Sequence, residues 1–131
     1  MEPEDIILAL NAWQLWPPGN LYPVLELQFR PGEWLIKAAM AISTDGFKLI
    51  SSPWTAPPWM KDNEDWRGGS LRPEYYDTWA RFFARYAEAY RAEGIEIWAF
   101  TVENEPLGND SNWESMHYTP AEQNAFVVSH L

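Results

Sequence analysis

The residues best suited to chemistry are Glu105 and the adjacent Asn104, in the stretch Thr-Val-Glu-Asn-Glu-Pro at 101–106. This stretch follows a largely apolar run at 95–100, which can form a strand buried on both faces. Pro106 has no N–H group and ends the strand pairing. Glu105 is therefore predicted to stand just beyond a strand end, where α/β barrels keep their catalytic groups, and to perform acid/base chemistry. The alternative is an ordinary solvated loop carboxylate.

A second loop combines rigidity with aromatic side chains. Residues 47–51 are predicted to form a short strand, and the sequence Ser-Pro-Trp-Thr-Ala-Pro-Pro-Trp-Met follows at 52–60. Its three prolines fix φ and stiffen the backbone. A rigid loop that carries Trp54 and Trp59 beyond a strand is more typical of a preorganised site than of a linker.

Helices and strands are predicted to alternate along residues 34–131. The predicted elements are a helix at 34–42, a strand at 47–51, a helix at 73–94, a strand at 95–102 and a helix from 120 onward. Thr119 and Glu122 have the spacing of a capping box at the start of the last helix. This order predicts βαβ units, a parallel sheet and a site at the C-terminal ends of the strands.

Apolar side chains at helical spacing predict which faces are buried. In the long helix these are Tyr76, Trp79, Phe83, Tyr86, Ala87 and Tyr90, with Gly94 as the C-terminal cap. In the first helix they are Leu35, Ala38, Ala39 and Ile42. Trp79 and Trp98 are both predicted to lie in the core, because each sits inside a periodic element.

Residues 1–33 form an N-terminal segment that is poorly assignable from sequence. Residues 6–16 fit either a helix or a strand, and residues 21–29 fit a strand. The acidic start of the chain does not match a secretory signal, which predicts either a cytoplasmic protein or a true N-terminus that lies elsewhere. The partial barrel domain is predicted to occupy residues 34–131.

Length and charge limit the possible function classes. The chain has 131 residues, whereas a whole (β/α)8 barrel needs about 250 and at least about 200. The net charge is −10 and the nine basic residues do not cluster, so nucleic acid is not an expected partner. No run of apolar residues is long enough to predict a transmembrane helix.

Metal and cofactor chemistry are not predicted. The chain has no cysteine, which excludes disulfides and thiolate zinc sites. His117 and His130 are too far apart for local ligand spacing and are predicted to be surface or packing residues. The acidic pairs do not have the spacing of a calcium loop, and no glycine-rich phosphate loop is present.

Several motifs in combination resemble glycoside hydrolase family 30, the group that includes glucosylceramidases and bacterial β-1,6-glucanases. They are Ser-Pro-Trp-Thr-Ala-Pro-Pro-Trp-Met-Lys at 52–61, Gly-Gly-Ser-Leu at 68–71, Tyr-Tyr-Asp-Thr-Trp-Ala at 75–80, Glu-Gly-Ile at 93–95, Thr-Val-Glu-Asn-Glu-Pro at 101–106 and Tyr-Thr-Pro at 118–120. The Asn-Glu-Pro motif alone is common among barrel glycosidases. Its combination with the Ser-Pro-Trp loop is much more specific.

This resemblance implies a retaining β-glycosidase, with the chain forming part of its (β/α)8 barrel, roughly from the second helix through the fourth. It implies that Glu105 is the general acid/base and that Asn104 binds the 2-hydroxyl of the sugar. Trp54 would pack on the sugar at the cleavage point. The implied substrate is a β-linked glucoside, a glucan or a glycolipid, and the family is often secreted or lysosomal.

A retaining mechanism also needs a second carboxylate about 5–5.5 Å from the first. In the family this nucleophile is a Glu after a late strand, which by position would lie downstream of Leu131. Glu103 is too close to Glu105 in sequence to face it across a sugar. The remaining acids in the loops are predicted to be solvated: Asp62, Glu64, Asp65 and Glu114. The sequence therefore predicts a fragment that holds the acid/base but not the nucleophile and is inactive alone.

Two other interpretations stay open. A non-catalytic carbohydrate-binding module would explain the nine tryptophans but not a glutamate placed after a buried parallel strand. A degenerate remnant without function is compatible with a partial barrel. Because a partial barrel leaves strand edges and apolar faces uncovered, the isolated chain is expected to be prone to aggregation.

Overall fold

A computed structural model describes residues 7–10, 36–108 and 113–131. The elements are β1 (Ile7–Leu10), α1 (residues 36–42), β2 (Lys48–Ser51), α2 (Tyr76–Ala92), β3 (Ala99–Phe100) and α3 (Pro120–Ser129), with short 3-10 helices at Pro58–Met60 and Pro73–Tyr75. The strand predicted at 21–29 and the first two residues of the helix predicted at 34–42 lie outside the described residues.

The described strands form a parallel sheet in the order β1-β2-β3. Ile7 pairs with Lys48 at one side of β2, and Ile50 pairs with Ala99 at the other. Helices α1 and α2 connect successive parallel strands, which is the βαβ arrangement that the sequence predicted. Of the range 6–16, which fitted either a helix or a strand, residues 7–10 form the strand β1, and the others lie outside the described residues.

The strand predicted at 95–102 is much shorter in the structure. Only Ala99–Phe100 pairs as a strand, although the backbone N–H groups of Trp98 and Thr101 also donate to β2 carbonyls. The N–H of Ile95 is already used, since it donates to the carbonyl of Tyr90 at the end of α2. The helix cap therefore occupies the start of the apolar run. Gly94 forms part of that cap, as predicted, with a φ of +77°.

The predicted apolar face of α2 is confirmed. Its buried residues are Tyr76, Trp79, Phe83, Tyr86 and Tyr90, and Ala87 is half-buried. The start of α3 is confirmed as well: the N–H of Glu122 donates to the Thr119 side chain, and the N–H of Thr119 donates to the Glu122 carboxylate. Both elements were predictable because their signals, apolar spacing in α2 and a capping box in α3, involve residues only a few positions apart in sequence.

Two predictions of buried apolar residues were wrong. Ile42 is 85% exposed, because Ile36 forms the buried face of α1 and Ile42 lies roughly 120° away around the helix axis. Trp98 is 57% exposed. Ile95 and Ile97 contribute to the core there, and the neighbours of Ile97 in the extended chain are exposed. The Lys48 ammonium group lies 4.6 Å from the centroid of the Trp98 ring.

The core consists of two clusters. The first joins α2, α3 and the loop after β2 through Ala56, Met60, Leu71, Tyr76, Trp79, Phe83, Met116, Tyr118 and Phe126. The second joins α1, β2 and the end of α2 through Ile36, Leu49, Tyr86, Tyr90 and Ile95. Phe100 contacts both clusters, so the end of β3 is anchored from two sides. Within the described ranges, no helix has the length and apolar character required to cross a membrane.

Candidate active site

The loops that follow β2 and β3 are joined by hydrogen bonds. The Thr101 hydroxyl donates to the Ser52 hydroxyl at 2.7 Å. The backbone N–H of Asn104 donates to the carbonyl of Pro53 at 2.8 Å. Both loops leave the same edge of a parallel sheet, which is why residues distant in sequence meet here. The sequence-predicted residues Trp54, Asn104 and Glu105 are all carried by this pair of loops.

Glu105 has an unusual backbone conformation, with a φ of +47°. For a residue with a Cβ atom, this left-handed region is sparsely populated and needs support from its surroundings. The Glu105 carbonyl accepts a 2.7 Å hydrogen bond from the N–H of Gly108. The following carbonyl, that of Pro106, accepts one from the N–H of Tyr118 at 2.9 Å. These two hydrogen bonds therefore fix the backbone on the C-terminal side of Glu105.

The Glu105 side chain is exposed. A proton donor that works near neutral pH needs a low-polarity environment or a second carboxylate nearby. The described residues do not enclose Glu105, so they do not supply such an environment. Asn104 and Trp54 are both half-buried, with part of each residue accessible.

The tryptophans of the loops have different roles. Trp59 packs against the first core cluster and makes an edge-to-face contact with Tyr75 at 5.3 Å between ring centroids. Trp66 is half-buried, and its carbonyl accepts a hydrogen bond from the N–H of Ser115. Packing accounts for Trp59, whereas Trp54 lies beside the loop of Glu105, so Trp54 is the better placed of the two for ligand contact.

Lys61 is completely buried beneath these loops. Its ammonium group donates to the Thr55 hydroxyl and to the Ser115 carbonyl, both at 2.9 Å. Burial lowers the pKa of Lys61 to about 8, against the opposing effect of the nearby Glu103 carboxylate. A lysine with such a low pKa is uncommon and is typical of a specialised environment.

Glu103 is also buried, with 6% of its surface exposed. Neither carboxylate oxygen has a hydrogen-bond partner within the described parts of the chain. Burial raises the pKa of Glu103 well above its ordinary value, and the positive charge of Lys61 opposes the rise. From the sequence, Glu103 stood out only as a possible partner of Glu105, and Lys61 had no predicted role. A glutamate directly after a largely apolar run was the one sequence signal that could have indicated burial.

The remaining polar residues include exposed loop acids and a surface histidine–aspartate pair. Asp62, Glu64 and Asp65 are exposed, as predicted. The described residues contain no group of three or more acidic or histidine side chains that could hold a metal ion. His130 pairs with Asp77 at 2.7 Å and packs edge-on against Tyr76, which is a packing role at the surface.

Comparisons with known proteins place this arrangement in a family. The glycosyl hydrolase family 30 TIM-barrel domain matches residues 26–131, so the match begins upstream of the motifs quoted above. The mouse lysosomal acid glucosylceramidase is 36% identical over 105 residues, which cover 74% of this chain and 20% of that protein. The chain spans about a fifth of the length of the curated relatives it matches.

Two solved structures are similar over nearly the whole chain. SrfJ from Salmonella typhimurium superposes with a TM-score of 0.79 at 29% identity, covering 95% of this chain and 31% of that one. An endo-β1,6-glucanase superposes with a TM-score of 0.74 at 31% identity, covering 95% and 30%. The fold, the strand-end loops and the sequence match agree, and the chain belongs to glycosyl hydrolase family 30, as part of its TIM-barrel domain.

Proposed function

We propose that this chain is the acid/base-bearing part of a retaining β-glycosidase that cleaves β-glucosidic bonds. The observation that carries the proposal is the hydrogen bond from the N–H of Asn104 to the carbonyl of Pro53. It holds the loop of Glu105 against the loop of Trp54. A sugar bound to one loop would therefore lie beside the other.

Each residue has a role that follows from its chemistry. A glycosidic oxygen is a poor leaving group unless it is protonated as it departs, and Glu105 would supply that proton. Glu105 would then act as the base that activates water in the second step. The Asn104 amide can bind the sugar 2-hydroxyl without adding charge. The face of the Trp54 ring suits the apolar C–H face of a β-linked pyranose.

We place the nucleophile in the part of the barrel outside these 131 residues. The complete barrel would consist of this segment together with the remaining βα units of the domain. Its other units would also supply the walls that enclose Glu105. The relatives named above include a glucosylceramidase and an endo-β1,6-glucanase. We therefore propose a β-glucoside in a glycolipid or a β-1,6-glucan as the substrate class.

The test compares leaving groups in the Glu105→Gln variant of the complete barrel. The dinitrophenolate group of a dinitrophenyl β-glucoside can leave without being protonated. The leaving group of an alkyl β-glucoside or of a β-1,6-linked glucan must be protonated as it departs. The expected kcat/KM falls by about 10²- to 10⁴-fold for the alkyl glucoside and changes little for the dinitrophenyl glucoside. Azide, which needs no base, is expected to raise kcat on the dinitrophenyl substrate.

The alternatives give different results. An equal loss on both substrates would show that Glu105 is not the acid/base. Sugar binding without any hydrolysis by the unaltered complete barrel would indicate a binding module instead. The 131-residue chain alone is expected to have no turnover, and hydrolysis by it at enzymatic rates would show that the nucleophile lies within this chain.

A further inference from the structure

We propose that Lys61 is a positioning residue that fixes the backbone on both sides of Glu105. The inference rests on the proposed role of Glu105 as the acid/base. It assigns a function to a buried charge that the proposed mechanism does not otherwise use.

The Lys61 ammonium group adds polar contacts between two segments that also pack together in the first core cluster, through Met60 on one side and Met116 on the other. Thr55, which accepts one of its hydrogen bonds at 2.9 Å, directly follows Trp54 in the loop after β2. Ser115, whose carbonyl accepts the other at 2.9 Å, lies in the segment that leads to α3. A single buried cation therefore connects the loop after β2 to the approach to α3.

The same two segments make hydrogen bonds to Asn104 and Pro106, the residues on either side of Glu105. On one side, the N–H of Asn104 donates to the carbonyl of Pro53, two residues before Thr55. On the other side, Tyr118, three residues after Ser115, donates its N–H to the carbonyl of Pro106. The bonds made by Lys61 thus lie next to both anchors.

The backbone of Glu105 needs such support. Its φ of +47° is unfavourable for a residue with a side chain and persists only when the surroundings impose it. Burying an ammonium group is costly, and hydrophobic residues of similar volume often replace buried ions without loss of stability. A requirement for position accounts for a lysine at this site better than a requirement for stability does.

Glu103 adds an electrostatic link within the same loop as Glu105. Its buried carboxylate attracts the Lys61 ammonium group. Asp65 and Asp62 also act on Lys61 from the loop after it. When Glu103 is ionised, its charge therefore attracts the same cation from a position two residues before Glu105.

The experiment uses Lys61→Met in the complete barrel, with Lys48→Met as the matched control. Lys48 is exposed, and it contacts the ring of Trp98 and not the loop of Glu105. A displaced proton donor slows only the step that needs protonation. We expect kcat/KM for an alkyl β-glucoside to fall by roughly 10- to 100-fold, as for a misplaced catalytic group. The values for the dinitrophenyl β-glucoside, and for both substrates with the control, are expected to change little.

A second variant covers the possibility that Lys61→Met does not fold. Thr55→Val removes one hydrogen bond of Lys61 but keeps the lysine, and a smaller loss with the same dependence on leaving group is expected. Equal losses on the two substrates in the folded variants, or no loss on either, would overturn the positioning role. Failure of the proposed function is distinguishable, since Glu105→Gln would then show no dependence on leaving group.

Discussion

Two regions of this molecule bury different kinds of side chain. Between α1, β2 and α2 the buried cluster is hydrocarbon and aromatic: Ile36, Leu49, Tyr86, Tyr90 and Ile95. Beyond the strand ends the buried residues include Thr55, Lys61, Glu103 and Ser115. Apolar burial contributes stability, whereas a buried charge costs stability unless it is fully paired. The apolar cluster is thus suited to stabilise the fold, whereas the buried polar groups lie beside the candidate site.

The largest loss of stability is expected from a substitution in the first core cluster, which packs α2 and α3 against the loop after β2. Trp79 is fully buried, and Trp79→Ala is expected to lower the free energy of unfolding by about 3–5 kcal/mol. Trp98→Ala is the matched control, because Trp98 is 57% exposed and should cost far less. Urea denaturation of the complete barrel measures both. Similar losses for the two variants would contradict the assignment of Trp79 to the core.

The next prediction concerns pH and the buried acid. Because burial raises the pKa of Glu103 in the folded state, folding retains a proton that the unfolded chain releases above about pH 4.5. The stability contribution of this group is present below pH 4.5 and is lost as the pH rises through the folded-state pKa. Each unit of difference between the two pKa values is worth about 1.4 kcal/mol.

Glu103→Gln removes this titration and keeps the size of the side chain. The unfolding midpoint of the variant is therefore expected to rise relative to that of the unaltered protein as the pH increases from 4.5 toward neutrality. Melting curves over this pH range test it, with Glu64→Gln as the control, since Glu64 is exposed. A constant difference between Glu103→Gln and the unaltered protein would mean that Glu103 titrates normally.

A smaller effect is expected at the turn that carries Glu105. A Cβ atom on Gly108 would lie 2.8 Å from the Glu105 carbonyl oxygen and 3.0 Å from its Cβ. Gly108→Ala should cost about 1–3 kcal/mol and displace Glu105, because the clash is with backbone that cannot rotate away. Activity on an alkyl β-glucoside and a melting curve report on the two consequences. Unchanged values in both would show that the turn relaxes freely.

The smallest effect is expected at the helix that closes the first cluster. Thr119→Ala removes the side-chain cap of α3 and should cost about 1 kcal/mol. Thr119→Ser retains a hydroxyl at the cap and serves as the control. A melting curve that separates alanine from serine at this position supports the cap, and identical curves for the two would argue against it.

Local patterns account for what could be predicted from the sequence. Helix α2 carries five buried aromatic residues at helical spacing, and α3 begins with a capping box, so both were predictable. The exposure of Trp98 was not, because it depends on which side of an extended segment the core lies. The burial of Lys61 was not predictable either, because it lies next to exposed polar residues such as Asp62 and receives its partners from Thr55 and Ser115.

The most direct test of the central claim is a crystal structure of the complete barrel carrying Glu105→Gln with a bound β-glucoside. We predict that the side chain at position 105 lies within hydrogen-bonding distance of the glycosidic oxygen and that Asn104 contacts the 2-hydroxyl. A carboxylate from a later strand should stand about 5–5.5 Å from position 105. A sugar bound away from these two loops, or a site without that second carboxylate, would contradict the assignment of Glu105 as the acid/base of a retaining glycosidase.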